Sequence, residues 1–179
     1  MSSATFVSYD TQTLGNWHGV YGADGYFVVN DLQSIPEYAS FSVQKQNGDW
    51  TWDADPTDPR ALRTGSNSGR IASCWCKNHE SFTFNIELND GNPHPIELYA
   101  LDWDSQVLDA TANALLDSRT ISNFINGIYL VWNVISSVII NVNIVGGQIL
   151  WSAAFSSTKS EPFSGAVMKR ALEEVVWVR

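Results

Sequence analysis

Aromatic rings and polar side chains that suit sugar recognition lie at the predicted loops and strand ends of this sequence. A pyranose ring presents a flat C–H face to an aromatic ring, and its paired hydroxyls bond to planar amide, carboxylate and guanidinium groups. The chain has eight Trp, more than a domain of this size needs for packing alone. The candidate ligand-binding residues are Trp17, Tyr21, Trp50, Trp52, Arg60, Arg63 and Trp103.

Spacing and context refine the roles of these candidates. Trp50 and Trp52 are two positions apart, so on a strand both rings would leave one face and form a tandem stacking platform. Arg60 and Arg63 have a second interpretation, in which they close a long loop through ion pairs with Asp. Three further Trp in the middle of predicted strands are expected in the core: Trp75, Trp132 and Trp151.

Two acidic segments could hold a structural calcium ion, because carboxylate oxygens are the ligands that this cation prefers. One segment places three carboxylates within six residues, at Asp53, Asp55 and Asp58, although it lacks the Gly and terminal Glu of an EF-hand loop. The other runs from Asp24 to Asp31. The alternative for both segments is a solvated acidic turn.

Signals for catalysis are thinner. A hydrolase would need a metal or a His–Asp pair to activate water, and the candidates are His18, Asp102 and Asp104. Asp102 and Asp104 on one strand face could also act as the acid and base of glycoside hydrolysis, with a structural or ligand-orienting role as the alternative. Residues 65–69 (GSNSG) place Asn67 where a nucleophile elbow has Ser, which predicts a turn.

The elements that must position these residues are β-strands. Runs rich in Thr, Val, Ile, Phe, Tyr and Trp alternate with polar residues and are separated by Gly, Asn, Asp or Pro. Eleven short strands are predicted, which indicates an all-β domain. They cover residues 5–9, 26–29, 39–44, 70–75, 81–88, 95–102, 107–109, 115–122, 127–134, 138–142 and 148–155.

Local signals predict how some of these strands are connected. The turn sequence NDGN at residues 89–92 predicts a β-hairpin over residues 81–102. Residues 50–69, with two Pro and many small polar residues, predict a long ordered loop. From residue 164 onward, apolar residues recur at helical spacing and predict a short amphipathic helix, as a peripheral tail or a partner-binding element.

Length and charge restrict the class of protein. At 179 residues, one domain with its own core is expected. The formal charge of −9, with only ten Lys and Arg, argues against duplex nucleic acid or an anionic membrane as partner. No apolar run is long enough to span a bilayer, and residues 1–9 lack the features of a secretion signal. Cys74 and Cys76, on one predicted strand, are expected as two buried thiols and not as a zinc site.

Several short motifs, taken in order, resemble a bacterial accessory module found on large, mostly extracellular proteins. The resemblance covers residues 5–155. It rests on residues 10–22 (DTQTLGNWHGVYG), 25–26 (GY), 50–52 (WTW), 58–62 (DPRAL), 70–72 (RIA), 101–104 (LDWD) and 127–132 (GIYLVW). The pattern departs from the module after residue 104, where Ser105 and Gln106 replace a longer Arg-containing hairpin, and again after Phe155.

That module resembles galactose-binding-like domains, which implies a jelly-roll β-sandwich over residues 1–155. Residues 156–179 are expected to form a tail with the short helix that the apolar spacing predicts. The resemblance further implies an extracellular protein that binds a glycan by Trp and Tyr stacking and by Arg, Asp and Asn hydrogen bonds, with a structural Ca2+ in reach. We expect a monomer or weak dimer. The alternatives are a small calcium-dependent hydrolase of a glycoside, ester or lactone, and an adhesion module without a small ligand.

Overall fold

A computed structural model describes residues 2–76, 81–103, 109–114, 117–145 and 150–156. Within these ranges the chain forms fourteen β-strands and no helix, so the predicted all-β class is confirmed. The strands are β1 (Ser3–Asp10), β2 (Gly25–Phe27), β3 (Gln33–Ser34), β4 (Ala39–Gln44), β5 (Gly48–Asp53), β6 (Leu62–Arg63), β7 (Arg70–Cys76), β8 (Ser81–Leu88), β9 (His94–Leu101), β10 (Asp109–Ala114), β11 (Asp117–Ile121), β12 (Ile128–Ile135), β13 (Val138–Val145) and β14 (Leu150–Phe155).

The strands form three antiparallel sheets. A six-stranded sheet has the order β1-β12-β9-β14-β2-β3, and a five-stranded sheet has the order β11-β10-β13-β8-β4. These two sheets pack face to face as a β-sandwich. A small sheet of order β5-β7-β6 belongs to a third layer, which we call the cap and define as residues 11–22 and 48–74.

Strict alternation along the strands of the five-stranded sheet explains the first hydrophobic core. Phe82, Phe84 and Ile86 of β8 are fully buried against the six-stranded sheet, whereas the intervening polar residues face outward. The same period of two recurs on β13, where Ile140 and Val142 point inward. An antiparallel sheet with one wet face has this pattern.

The central strands of the six-stranded sheet, β9 and β12, are buried on both faces, because the cap covers their outer side. On β9, Leu98 and Ala100 pack into the first core, while Tyr99 and Leu101 belong to a second cluster. Cap residues that complete this second cluster include Trp17, Ala61, Leu62, Ile71 and Cys74. Consequently β9 is a nearly continuous run of buried residues, and its polar members lie inside the protein.

The prediction of a β-hairpin over residues 81–102 is wrong, because β8 and β9 lie in different sheets. The turn itself is present: Gly91 has a φ of 74°, and Asp90 Oδ1 accepts a hydrogen bond from Asn92 N at 3.0 Å. However, β8 pairs with β4 and β13, and β9 pairs with β12 and β14. Both edges of each strand are therefore occupied, and the turn connects the two sheets of the sandwich.

The long loop predicted over residues 50–69 contains regular structure. It begins within β5 and is interrupted by β6, and the remaining residues are irregular. Strand β3 was not predicted, and β10 and β11 differ in bounds from the predicted strands at residues 107–109 and 115–122. The predicted C-terminal helix and the tail after residue 156 lie outside the described residues. No helix in the described ranges is long and apolar enough to cross a membrane.

Gly127 packs directly against the core of the six-stranded sheet. Its φ is 82°, and an added Cβ would overlap the hydroxyl and ring of buried Tyr99. We predict that Gly127→Ala lowers the free energy of unfolding by more than about 2 kcal/mol, because it combines left-handed backbone strain with overpacking. Urea denaturation followed by Trp fluorescence measures this loss.

Gly91 offers a matched control, since its φ is 74° and nothing lies within 4 Å of an added Cβ. Gly91→Ala introduces the backbone strain alone and should cost about 1 kcal/mol. Equal losses in the two variants would show that the contact with Tyr99 is unimportant.

Candidate functional site

Arg60 is the centre of an ordered cluster at the edge of the cap, which we call the rim and define as Asp58, Arg60, Trp103 and Ile125. Its Nε and Nη2 donate to Asp58 Oδ2 at 2.9 and 2.7 Å, and its Nη1 donates to the Ile125 carbonyl at 2.7 Å. The guanidinium carbon lies 5.3 Å from the centre of the Trp103 ring. These contacts fix a cation above an aromatic face at the surface of the domain.

Two features of the short loop at residues 58–61 explain why Arg60 adopts this position. Asp58 Oδ1 accepts a hydrogen bond from the Arg60 backbone N at 2.9 Å, a local turn that aspartate favours. The buried Tyr99 hydroxyl donates to the Arg60 carbonyl at 2.7 Å. The Arg60 guanidinium holds the pKa of Asp58 below its usual value, so the ion pair is present over the physiological pH range.

The neighbouring part of the cap is held by its own backbone carbonyls. Trp17 Nε1 donates to the Arg63 carbonyl at 2.8 Å, and His18 Nε2 bonds to the Thr64 carbonyl at 2.8 Å. Since a carbonyl only accepts, Nε2 of His18 carries the proton. Arg70 Nη1 donates to the Ala61 carbonyl at 2.6 Å. The side chains of Arg60, Arg63 and Arg70 are consequently grouped on one layer of the molecule.

Most predicted ligand-binding residues converge on this layer, but not all of their rings face solvent. Trp17 is only 4% exposed and packs in the second cluster, so its ring does not face solvent. Tyr21 is half-buried, stacks near Tyr129 with ring centres 4.6 Å apart, and donates to Asp10 Oδ2. Trp103 is half-buried at the rim.

Trp50 and Trp52 differ in environment. Trp50 is 56% exposed, whereas Trp52 is half-buried and packs against the second cluster. Pairing between β5 and β7 shifts register between Thr51 and Asp53, so Trp52 lies at a β-bulge. A bulge interrupts the period of two, and the alternation on which the predicted tandem platform rests is broken at Trp52. Trp75 and Trp132 are buried, as predicted.

The two predicted calcium segments have protein partners for several of their carboxylates. Asp24 Oδ2 accepts from the Tyr38 hydroxyl at 2.8 Å, and Asp31 Oδ2 accepts from Gly65 N at 2.6 Å. Asp53 Oδ1 accepts from Asp55 N at 3.0 Å, and Asp58 pairs with Arg60 as described. The described part of the chain holds no group of three or more His, Cys, Asp or Glu placed for a metal ion. Calcium binding stays a prediction.

The candidate catalytic residues are only partly described. His18 is half-buried on the cap and its ring stacks on Trp17 with centres 3.7 Å apart. Asp102 is 3% exposed and follows β9, and Asp104 lies outside the described residues. Hydrolase activity therefore stays an untested alternative.

Glu97 is a buried carboxyl group that strand patterning did not reveal. It is 2% exposed on the outer side of β9, beneath the cap. Burial raises the pKa of Glu97 to about 8, and the Asp24 carboxylate acts in the same direction. The cavity beside it measures about 10 Å³ and is lined by rings such as Trp17, Tyr26 and Tyr129, so it has room for about one water molecule but not for a sugar.

The outward face of the five-stranded sheet forms a second concave surface, which we call the sheet groove. It has a volume of about 420 Å³ and a mixed lining in which hydroxyl and amide side chains accompany one carboxylate and several aliphatic residues. Its outward side chains are Ser40, Ser42, Gln44, Asn85, Glu87 and Ile139. The alternation of these strands could have identified the face in advance, since each polar residue occupies an outward position.

Comparisons with known proteins do not assign this site. No family model matches the chain, and neither the curated proteins nor the solved structures contain a match to it.

Glu97 makes stability depend on pH in a defined direction. Its ordinary pKa is 4.5 and its folded value is about 8, so the folded state binds more protons between these values. The contribution of Glu97 to stability is fully present below pH 4.5, decreases as the pH rises from 4.5 to 8, and is absent above 8. We predict that Glu97→Gln removes a slope of up to about 1.4 kcal/mol per pH unit, measured by urea denaturation at pH 5.5, 7 and 8.5.

Glu87→Gln is the control, because Glu87 is exposed on the sheet groove. It should keep the wild-type dependence on pH. Parallel stability curves for Glu97→Gln and the wild type would contradict a neutral Glu97 in the folded protein.

Proposed function

We propose that this chain is a carbohydrate-binding module and that its glycan binds at the rim. The observation that supports this best is the guanidinium of Arg60, held by Asp58 at 2.7 Å and placed 5.3 Å from the Trp103 ring centre. It unites the three groups that sugar recognition needs: an aromatic face, a planar donor and a carboxylate. An extracellular location, a jelly-roll topology and a structural Ca2+ belong to the same proposal and rest on the resemblance of the sequence.

The Arg60 guanidinium at the rim still has N–H groups available to a ligand. A guanidinium carries five N–H groups, and within the described residues Asp58 and the Ile125 carbonyl account for one each on Nε, Nη1 and Nη2. Two N–H groups remain for hydroxyls. The Arg60 side chain keeps 27% of its surface exposed, so a ligand can reach it.

Preorganisation favours binding at this place. Arg60 is fixed by a carboxylate and a carbonyl before any ligand arrives, so little side-chain entropy is lost on association. Ile125 is 45% exposed beside it and extends the apolar surface. One aromatic contact and a few hydrogen bonds correspond to dissociation constants of about 1 μM to 1 mM.

The sheet groove is the competing location. Its hydroxyl and amide side chains could bond sugar hydroxyls, but Ile139 is its one large exposed apolar residue and its lining contains no aromatic ring. Stacking on an aromatic ring contributes much of the binding energy for a pyranose, which favours the rim.

Substitution at the rim tests the proposal. We predict that Trp103→Ala and Arg60→Lys each weaken binding to a responsive polysaccharide at least about tenfold, because one loses the ring and the other the planar fork. Affinity electrophoresis in gels containing soluble polysaccharides identifies the responsive glycan, and calorimetry with its oligosaccharides gives the affinity. Thermal unfolding confirms that the variants are folded.

Two controls locate the site. Trp50→Ala removes the Trp that is most exposed among the described residues, and Asn85→Lys fills the sheet groove; both should bind as the wild type does. If Trp50→Ala or Asn85→Lys abolishes binding while Trp103→Ala does not, the glycan binds elsewhere and the rim assignment is wrong. Absence of binding to every glycan in the panel would overturn the proposed function.

A further inference from the structure

Two arginines of the cap face each other across adjacent strands. Arg63 of β6 is directly opposite Arg70 of β7 in the antiparallel register. Residues in such a pair extend from the same face, with Cβ atoms about 5 Å apart, and like charges in this position are destabilising. Arg63 lowers the pKa of Arg70, after burial, which is the larger cause.

The partners of Arg70 are structural. Its Nη1 donates to the carbonyls of Pro59 and Ala61 at 3.2 and 2.6 Å, and its Nη2 donates to Asn16 Oδ1. These neutral acceptors hold the guanidinium in place, and the one carboxylate that acts on its charge, Asp58, is already bound by Arg60. Arg70 is thus a fixed cation at the surface of the cap.

The guanidinium of Arg63 has no structural contacts of the kind that hold Arg70. Its backbone carbonyl binds Trp17, yet across the described ranges no hydrogen bond or ion pair occupies its half-buried guanidinium. The nearest acidic position in sequence is Asp58, and Arg60 already binds both oxygens of that carboxylate. Asp31 and Asp55 also lie near the turn between the two arginines, but neither forms an ion pair with Arg63 or Arg70 within the described residues. Two adjacent cations that no acid pairs with can bind an anion.

The net negative charge of the chain makes the grouping of arginines in residues 58–70 more significant. The protein has nine more acidic than basic residues, but residues 58–70 contain three Arg and a single Asp. An anionic group between Arg63 and Arg70 would turn a repulsive pair into two attractive contacts. The same loop carries Arg60 two residues after Asp58, so the rim and the arginine pair can contact one oligosaccharide.

We infer that Arg63 and Arg70 bind an anionic group, and that the glycan is therefore an acidic one, carrying carboxylate or sulfate. The inference rests on the proposed function for the identity of the ligand as a glycan. Arg63 donates directly to the anion, and Arg70 supplies a fixed charge beside it. A neutral glycan would leave this pair of like charges without a counterpart.

A pair of polymers that differ only in charge tests the inference. Polygalacturonate and its fully methyl-esterified form share the same sugar backbone, and affinity electrophoresis compares binding to each. We expect the wild type to bind the acidic form at least about fivefold more tightly, with the difference decreasing between low and high salt. Arg63→Gln should lose this preference and keep its binding to the ester.

Sulfated galactan, with its desulfated form as the control, provides a second arm for sulfate as the anionic group. Preference for either acidic polymer that depends on Arg63 supports the inference and identifies the group. Arg63→Lys, which keeps the charge but not the fork, should bind with intermediate affinity. Since Arg63→Gln relieves the repulsion between two cations, its melting temperature should equal or exceed that of the wild type.

These measurements distinguish failure of the anion site from failure of glycan binding at the rim. If the charged and uncharged forms bind equally and Arg63→Gln changes nothing, the anion site is wrong, while a loss caused by Trp103→Ala would still support glycan binding. If the acidic polymers bind in a manner that depends on Arg63 but not on Trp103, the anion site stands and the stacking rim is wrong. If neither acidic polymer binds the wild type, the inference fails.

Discussion

The structure depends on one constraint: the centre of the six-stranded sheet is covered on both faces, so polar groups on its outer side must find partners within the cap. Two tyrosines at its centre do this with their hydroxyls. Tyr99 donates to the Arg60 carbonyl and Tyr129 to the Leu14 carbonyl, each at 2.7 Å. A buried hydroxyl without a partner would cost about 1–3 kcal/mol, so these bonds fix where the cap loops lie.

The position of the arginines follows from that constraint. Because the carbonyls of Arg60, Ala61 and Arg63 turn inward toward donors, the cap loops have a defined backbone path. Their charged side chains then extend along the surface, where the heads remain hydrated. The second cluster beneath them is apolar except for Glu97, whose neutral form avoids the cost of a buried charge. A rigid base under a charged surface is what a binding site of modest size requires.

Alternation was sufficient to predict the fold class but not the way in which the layers are arranged. It identified strands such as β8 and β13, whose one buried face gives a clear period of two. It failed for the connection from β8 to β9, because a turn signal does not specify which sheet the next strand joins. It also missed the burial of Glu97, since a polar residue between apolar ones predicts an outward position unless a third layer covers it.

The candidate site was predicted only in part, because local sequence patterns do not specify contacts between distant parts of the chain. Sequence motifs identified Arg60, Arg63 and Trp103, which the structure brings onto one layer, but exposure of individual rings depends on contacts far along the chain. Trp17 bonds to the Arg63 carbonyl 46 residues away, and this places its ring inside. The ion-pair role considered for both arginines holds for Arg60 with Asp58, and no described acid pairs with Arg63. Cross-strand register alone reveals that Arg63 lies opposite Arg70.

The distribution of charge has a consequence for how a ligand approaches. Of the five Lys and Arg in the described ranges, three belong to the cap: Arg60, Arg63 and Arg70. The net charge of the whole protein is negative, and the cap also carries Asp49, Asp53, Asp55 and Asp58, so an anionic polymer is repelled by the average surface and is attracted locally where the three arginines lie. This difference between the average charge and the local charge contributes more to the orientation and specificity of ligand binding than to its affinity. Under the proposed function, this local attraction would orient the ligand on one face of the cap.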